Sequence, residues 1–381
     1  MNTLLAVPGA IAAAYQVLCL VAALRFLRRR SPPSFTLPPV SILKPVHGLD
    51  PHFYEAIRSH ALQDYPDYEI LFGVSDPADP AVAPIEQLIR EFPGIPIRLI
   101  TASRKAPNQK VGVLIELARQ ARHPVLVVSD SDIEVPPDYL RRLVAPLERP
   151  EVGLVTCLYR GQADSWAGRF EALAIATEFA PGVLVAPLLG VNEFALGATT
   201  ALRAADLARI GGFEAVADYL ADDYQLGRHI HSLGLRVVLA PMVVTTHLPN
   251  KGWKEAWRHQ VRWARTVRVC RGGGYLGMPV TMATLWAMLL GVSGQAGPAA
   301  ALLALRLLAG LTVARGVIGL RLRAADVLMI PVRDLWGVLV WLAGLTGSRV
   351  VWRGRRLRIN REGKIVEDAR DRVESPAHRP V

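Results

Sequence analysis

Residues 123–135 read HPVLVVSDSDIEV, an apolar, β-branched run that ends in an Asp-x-Asp pair, Asp130 and Asp132. A short apolar run of this kind predicts a buried strand. Similar runs recur within residues 39–250 as VSILKPV, YEILFGVSD, IPIRLITA and VGLVTCLY. Segments with helical spacing of apolar residues, such as 109–121, lie between them. Strands that alternate with helices predict an α/β fold with a doubly wound, mostly parallel sheet.

Acidic residues stand where the predicted strands end. Asp76 closes one strand, and Asp130 and Asp132 close another. In doubly wound sheets the ligand lies in the crevice outside the carboxyl ends of the strands. A single carboxylate there can equally cap a helix or begin a turn. Two acidic strand ends in one sheet favour a binding site.

The Asp-x-Asp pair has the chemistry of a metal site. On an extended segment, side chains two residues apart project to the same side, so Asp130 and Asp132 can act together. Such oxygen donors suit a Mg²⁺ or Mn²⁺ that also binds substrate phosphates, and the alternative is a solvated loop. Asp76 is a candidate for contact with a nucleotide, and Lys44 and Lys110 are candidates for diphosphate oxygens, although lysines are also common at surfaces.

A second acidic pair, Asp222 and Asp223 in LADDYQLGR, opens a helical stretch. Two carboxylates near a helix N-terminus are favoured by the helix dipole, so a capping role is one interpretation. The other is that one of them is a general base, because a neighbouring carboxylate and partial burial raise its pKa. Such a base would take a proton from an acceptor hydroxyl.

The stretch WRHQVRWARTVR, residues 257–268, predicts an amphipathic helix within residues 251–271. Tryptophans interleave with its basic residues, as aromatic side chains do at the headgroup level of a membrane. An Arg and a Trp at the mouth of a cleft can also hold a diphosphate. The arginines of its predicted basic face are Arg258, Arg262, Arg265 and Arg268.

Both ends of the chain have membrane character. Residues 4–24 are uncharged and are followed at once by RFLRRR, the reverse of the order in a secretory signal. This predicts a retained anchor at residues 1–27, long enough to cross the hydrocarbon core. Its basic flank places the following domain in the cytoplasm by the positive-inside rule. The sequence therefore predicts a multi-pass protein of the inner, cytoplasmic membrane.

A C-terminal membrane region is predicted at residues 275–346. Its first two helices are expected at about 275–292 and 298–320, separated by SGQAGP. Arg306, inside the second helix, should face protein or snorkel, since isolated charge in a bilayer is costly. A third apolar run, 327–346, is expected to be re-entrant or interfacial, because two crossings return the basic tail at 349–381 to the cytoplasm.

Composition narrows the function classes. The 381 residues are 51% hydrophobic, with a net charge of +11 and three widely separated cysteines, Cys19, Cys157 and Cys270. Cysteines so spaced predict neither a disulfide scaffold nor a zinc site. Six arginines lie between Arg349 and Arg361, next to apolar segments. This clustering indicates an acidic lipid surface as the partner, and no nucleic acid.

Taken in order, these stretches resemble the family-2-type inverting glycosyltransferases, and most closely the branch with ceramide glucosyltransferase and the bacterial hopanoid-associated glycosyltransferases. The resemblance spans residues 40–268, with membrane segments at both ends as in that family. The residues that carry it are Lys44 in VSILKPVHGLD, Asp76 in GVSDPADP, Lys110 in PNQKV, Asp130 in SDSDIEV, Gly197 in FALGATTALR, Asp223 in LADDYQLG, and Arg262 with Trp263 in HQVRWAR.

The resemblance implies a GT-A fold over residues 39–250 and a UDP-sugar donor carrying glucose or N-acetylglucosamine. Asp76 would contact the nucleotide, Asp130 and Asp132 the metal and diphosphate, and Asp223 would be the base. Arg262 and Trp263 would bind the diphosphate end of the donor.

The family signature Gln/Arg-x-x-Arg-Trp begins here with His259, which departs from the pattern. Gln260 or Arg258 would then have to substitute for the first position.

The acceptor implied is a membrane lipid hydroxyl, on a hopanoid polyol or a ceramide, and overall resemblance favours the hopanoid. Two alternatives stay open. A processive polysaccharide synthase would need more spanning helices for a polymer channel. A membrane-anchored lipid-binding scaffold would keep the fold without turnover, and an intact Asp-x-Asp and Asp223 speak against it.

Overall fold

Mostly buried strands build the main sheet. The structure is a computed structural model that describes residues 2–29, 36–250, 252–352 and 355–366. Over these residues the main sheet has eight strands: β1 (Val40–Pro45), β2 (Tyr68–Val74), β3 (Ile97–Thr101), β4 (Val125–Ser129), β5 (Ile133–Glu134), β6 (Val152–Gln162), β7 (Thr199–Arg203) and β8 (Arg236–His247).

Helices cover the sheet and continue beyond it at both chain ends. In the described ranges they are α1 (Asn2–Arg28), α2 (Phe53–Ala61), α3 (Val82–Glu91), α4 (Gln109–Gln120), α5 (Tyr139–Val144), α6 (Trp166–Ala174), α7 (Ala180–Val185), α8 (Ala204–Arg209), α9 (Asp222–Ser232), α10 (Trp253–Cys270), α11 (Gly272–Gly277), α12 (Ala283–Val292), α13 (Ala296–Leu311) and α14 (Ala324–Gly344).

The strand order confirms the predicted α/β architecture. It is β3-β2-β1-β4-β7-β6-β8-β5, in which β3, β2, β1 and β4 are mutually parallel and β6 is parallel to β8. Strand β7 runs antiparallel between β4 and β6, and β5 is antiparallel to β8. Each predicted strand is present, but residues 123–135 form two strands, because the chain turns at the Asp-x-Asp pair between β4 and β5.

The pleat of the strands divides the core between the two faces of the sheet. Alternate residues of β2 point to opposite sides, so Ile70 and Phe72 join one apolar cluster and Leu71 joins the other. Helices α2, α3 and α5 contribute to the first cluster, and α4 and α9 to the second. Both faces are therefore covered, as the hydrophobic character of the parallel strands requires.

Long apolar helices extend this domain. Within the described residues, four helical segments are long and apolar enough to cross a membrane: Leu4–Arg28, Trp166–Leu189, Ala296–Val317 and Ala324–Gly344. The segment at 166–189 was not predicted. It contains α6, a π-helical turn at Ile175–Phe179 and α7, and it packs against α1 in an apolar cluster.

The structure corrects the expected shape of the C-terminal membrane region. Residues 275–292 are not one helix, because the chain bends by 46° between Gly272–Thr281 and Ala283–Val292. The run at 327–346, for which a re-entrant path was one expectation, is instead the unbroken helix α14, despite Pro331 within it. Residues 272–292 therefore have the geometry of either a broken span or a re-entrant loop.

Part of the arginine-rich tail forms a small sheet. Residues 349–366 contain β9 (Arg349–Trp352), β10 (Arg355–Ile359) and β11 (Ile365–Val366), which pair antiparallel in the order β11-β10-β9. We call this the C-terminal sheet. It packs on Leu220, which lies just before α9. The rest of the predicted tail, 367–381, lies outside the described residues.

Candidate active site

A cavity of about 960 Å³ opens at the carboxyl end of β4. Its walls include Asp130 and Asp132 from the turn after β4, and Asp222 and Asp223 from the first turn of α9. Gln16 of α1, Arg306 of α13 and Gly337 of α14 also line it, so one cavity joins the acidic end to these apolar helices. The other predicted residues on its walls are Lys110, Gly197, Arg262 and Trp263.

Asp130 is held at the cavity by Lys110. The Lys110 Nζ lies 2.6 Å from Asp130 Oδ1 and 3.7 Å from Asp222 Oδ2, so one ammonium links the two acidic pairs. Burial alone would lower the pKa of Lys110, but Asp130 and Asp222 together raise it well above its ordinary value. Lys110 is therefore a fixed positive charge beside the position expected for a diphosphate.

Asp132 lies deeper and accepts a hydrogen bond from Thr246 Oγ1 on β8. Burial, followed by the charge of Asp130, raises the pKa of Asp132 to about 6. Asp50 also lines the cavity, where it accepts a 2.7 Å hydrogen bond from Ser131 Oγ. The charge of Asp130 beside the Asp132 carboxyl, which raises the Asp132 pKa, would be offset by a cation bound to this pair.

These donors fit a Mg²⁺ or Mn²⁺ that is shared with a substrate. Across the described residues, no three His, Cys, Asp or Glu side chains are close enough together to hold a metal by themselves. Mg²⁺ commonly takes one or two protein carboxylates and completes its shell with substrate phosphates and water. Asp130 and Asp132 could supply the protein carboxylates, and a diphosphate would have to supply further oxygens.

Lys44, a candidate for contact with diphosphate oxygens, lies buried behind the cavity wall. Its side chain is fully buried, and its Nζ donates to Asp130 O at 2.8 Å and to Ser129 Oγ at 3.2 Å. Burial lowers its pKa to about 7, against the opposing effect of Asp132 and Asp130. Lys44 does not line the cavity, and its contact with a diphosphate stays a prediction. In this position it supports the backbone of Asp130.

Asp76 also lies away from the cavity walls. It is exposed after β2, and its Oδ1 accepts a hydrogen bond from Ala78 N at 2.9 Å, which forms a turn. Its contact with a nucleotide stays a prediction. The buried carboxylate in this stretch is Asp79, which was not predicted and which accepts from Gly48 N at 2.9 Å and from Ala81 N at 2.9 Å. Asp79 thereby joins the loops after β1 and β2.

Asp223 and Asp222 have different surroundings. Asp222 Oδ1 accepts from Asn108 Nδ2 at 3.3 Å, and it also faces Lys110. Asp223 Oδ1 accepts from Tyr224 N at 2.8 Å, and its Oδ2 points toward Gly197. Burial, then the charge of Asp222, raises the pKa of Asp223 to about 6, while Lys110 opposes the shift. Of this pair, Asp223 is the carboxylate whose pKa is raised toward the range of a general base, and its role as the base stays a prediction.

Gly197 gives Asp223 its space. A Cβ added at position 197 would lie 3.0 Å from Asp223 Oδ2, closer than ordinary van der Waals contact. We expect Gly197→Ala to displace that carboxylate by a few tenths of an ångström and to lower kcat by about tenfold, since small displacements of catalytic groups are costly. Steady-state kinetics and thermal unfolding would check this. An unchanged kcat with an unchanged melting temperature would contradict it.

Helix α10 brings Arg262 and Trp263 to the cavity. Burial lowers the pKa of Arg262 to about 10, and Glu171 opposes this. The Trp263 ring lies 6.1 Å from that of Phe179 and 5.1 Å from that of His259. The Trp263 ring thus packs against the helical segment 166–189.

His259, which stands where the family signature has Gln or Arg, pairs with a carboxylate of α6. His259 also lines the cavity, and its Nδ1 lies 2.8 Å from Glu171 Oε1 on α6. Gln260 Oε1 accepts from Trp336 Nε1 on α14 at 2.8 Å, and substitution by Gln260 or Arg258 at the first position stays a prediction. The pairing with Glu171 was not predicted, since residues 166–189 carry no sequence signal beyond an apolar helix.

Charges at the membrane end of the cavity are paired. Arg306 is buried, as expected, and donates from Nε and Nη2 to the two oxygens of Asp334 at 2.9 and 2.6 Å. Arg333 Nη2 lies 3.4 Å from Glu178 Oε2. Such pairing reduces the cost of charge among apolar helices and links α13, α14 and the segment 166–189.

The chain is similar in sequence to known proteins. The chain is 29% identical over 217 residues to ceramide glucosyltransferase 1 of Caenorhabditis elegans, covering 56% of this chain and 46% of that protein. It is 31% identical over 134 residues to ceramide glucosyltransferase of Komagataella phaffii, covering 33% and 26%. The chain thus spans less than half the length of these curated relatives.

A solved structure shows a similar fold. It is a mannosyltransferase from Pyrobaculum calidifontis in complex with GDP-Man and Mn²⁺, with a TM-score of 0.53 and 21% identity, covering 89% of this chain and 97% of that one. The GT-A architecture expected from the sequence is therefore confirmed.

The family model described as glycosyl transferase family 21 matches residues 1–365. The resemblance found in the sequence is confirmed, and this protein belongs to glycosyl transferase family 21.

Proposed function

We propose that this protein is a membrane-bound inverting glycosyltransferase that moves glucose or N-acetylglucosamine from a UDP-sugar to the hydroxyl of a membrane lipid. The observation that carries the proposal is the single cavity shared by Asp130, Asp132 and Asp223 and by helices α1, α13 and α14. A polar donor can enter its acidic end, and an apolar acceptor can enter from the membrane helices.

The donor end would hold the diphosphate. Asp130 and Asp132 would share a Mg²⁺ or Mn²⁺ with it, and this ion, when bound, would stabilise the charge that develops on the departing diphosphate. Lys110 would add a fixed positive charge, and Arg262 would add another from α10. Lys44, beneath Asp130, would keep that carboxylate in place.

The transfer itself would use Asp223. The acceptor oxygen forms a bond to the anomeric carbon as the bond from that carbon to the diphosphate oxygen breaks. The hydroxyl proton passes to Asp223, and UDP leaves. Attack from the side opposite the leaving group inverts the anomeric centre, and Trp263 and Tyr159 would form walls beside the sugar and acceptor.

For the acceptor, ceramide is the first candidate, because the curated relatives are named for it. The hopanoid polyol favoured by the sequence is the competing acceptor. We further propose that the protein is multi-pass in the inner membrane, with the acidic end of the cavity facing the cytoplasm. The basic stretch RFLRRR, residues 25–30, at the end of α1 predicts this orientation.

Membranes that contain the protein provide the test. Radiolabelled UDP-glucose and UDP-N-acetylglucosamine would each be offered with ceramide or bacteriohopanetetrol, with and without Mn²⁺. We expect one labelled lipid that requires metal and is absent from membranes without the protein. Failure of every donor and acceptor pair, together with no binding of UDP, would favour a lipid-binding scaffold.

The pKa of about 6 for Asp223 predicts the pH dependence of transfer. Below pH 6 the protonated carboxyl cannot accept a proton, so activity should fall as the pH falls through that value and level off above it. The measurement is kcat from pH 5 to 8.5 at saturating Mn²⁺ and donor, because Asp132 titrates in the same range. A kcat that stays constant down to pH 5 would rule out Asp223 as a base with a pKa of about 6.

A further inference from the structure

The loop 217–221 connects a 3₁₀ turn, Phe213–Val216, to α9 and so determines where Asp223 lies. Helix α9 has no side-chain cap at Ala221. Its first turn therefore depends on the contacts that hold the loop. Leu220 and Ala221 also line the cavity.

One side of this loop is held by the segment that carries Lys110. Asn108 N donates to Ala217 O at 3.0 Å, and Asn108 Nδ2 donates to Tyr219 O at 2.8 Å. Asn108 is also the N-cap of α4, where its side chain accepts from Val111 N. The loop is thus fixed to the donor end of the cavity.

The other side is held by the C-terminal sheet. Ile365 N donates to Asp218 O at 2.7 Å, and Leu220 N donates to Gly363 O at 3.3 Å. Tyr219 and Lys364 form an antiparallel bridge between these bonds. The loop thus pairs with the sheet through this isolated bridge and its two flanking hydrogen bonds. Apolar side chains close the contact, namely Leu220, Val350, Leu357, Ile359 and Ile365.

The C-terminal sheet is also joined to α10. Arg265 Nε donates to Thr346 O at 3.0 Å, and Arg268 Nη2 donates to Gly347 O at 2.5 Å, both just before β9. Arg265 Nη1 donates to Arg349 O at 2.7 Å. Helix α10 carries Arg262 and Trp263, so the sheet contacts both elements that approach the cavity from this side.

We propose that the C-terminal sheet is a positioning element for the transfer reaction, which holds the loop 217–221 and thereby sets the place of Asp223. The proposal rests on the function proposed above for Asp223. Asp130 and Asp132 lie on the turn between β4 and β5, supported by Lys44, Lys110 and Thr246. Loss of the sheet contact should therefore affect the transfer step more than the binding of the donor.

Two neighbouring substitutions on β11 test this. Ile365 is 8% exposed and faces Leu220, whereas Val366 is 41% exposed. Ile365→Asp places an unpaired charge in the apolar contact, which is costly, and Val366→Asp places the same charge in water. We expect Ile365→Asp to lower kcat at least tenfold with the affinity for UDP changed less than twofold, and Val366→Asp to match the wild type.

Hydrogen exchange gives a readout that needs no activity. Amides 218–222 should exchange at least tenfold faster in Ile365→Asp and at the wild-type rate in Val366→Asp. A disulfide between Tyr219→Cys and Lys364→Cys, which are paired across the bridge, should restore kcat to Ile365→Asp when oxidised and lose it again on reduction. The single variant under the same oxidant is the control.

The positioning role would be overturned if Ile365→Asp had the same kcat per folded molecule as the wild type. It would also be overturned if this variant lost UDP affinity by as large a factor as it lost kcat. Faster exchange at 218–222 without any change in kcat would overturn it too. If the wild-type protein transfers no sugar under any condition, the proposed function fails first. The exchange data would still show whether the sheet holds the loop.

Discussion

Asp223→Asn is expected to lower kcat for sugar transfer by about 10²–10⁴-fold, the contribution of a positioned general base. The amide keeps the size of the carboxylate beside Gly197 but cannot accept the acceptor's proton. Binding of UDP should change little, because Asp130 and Asp132, and not Asp223, are the carboxylates proposed to hold the metal and the diphosphate. Transfer of label to lipid, together with titration of UDP binding, measures both quantities.

Asp222→Asn is the matched control, one residue away on the same helical turn. Asp222 contacts Asn108 and Lys110, so its loss should weaken the loop contacts and lower kcat by about tenfold or less. If Asp222→Asn abolished transfer while Asp223→Asn remained active, the two roles would have to be exchanged.

Asp132→Asn is expected to remove the metal dependence of donor binding. Changes to groups that only support metal ligands already cost about 10–100-fold in affinity, so loss of a direct ligand should weaken Mn²⁺-dependent UDP binding at least about 100-fold. Asp130→Asn should do the same, and it also frees Lys110 from its 2.6 Å partner. Calorimetric titration of UDP with and without Mn²⁺ measures the effect.

Asp50→Asn provides the comparison, because Asp50 lies on the same cavity wall but is bonded to Ser131. It should retain Mn²⁺-dependent binding within about threefold, since it is not a proposed ligand. Undiminished metal dependence in Asp132→Asn would show that the ion, if used, is held elsewhere.

The sheet and the acidic ends of its strands could be predicted because their signals are local. Strands such as β1, β2 and β4 are continuous apolar runs, and the Asp-x-Asp pair follows directly on one of them. Helix α4 lies at the place that its apolar spacing predicts. The order of the motifs predicted that Lys110, Asp130 and Asp223 share one site. In the structure, all three line one cavity.

The features that were missed depend on contacts distant in sequence. Strand β7, TTALR, is short and polar at its start, and pairing on both edges stabilises it. Glu171 meets His259 only because α6 packs beside α10. The burial of Lys44 beneath Asp130 likewise depends on the pairing of β1 with β4. Local patterns contain no information about such pairs.

The N-terminal helix α1 borders the cavity of the candidate active site. Tyr15, Gln16 and Cys19 of α1 line the same cavity as the catalytic candidates, so α1 is one wall of the space in which the sugar would be transferred. A wall that excludes water protects an activated sugar from hydrolysis. Cutting the chain after α1 would open that wall, and the donor would then be lost to water even where the carboxylates remain intact.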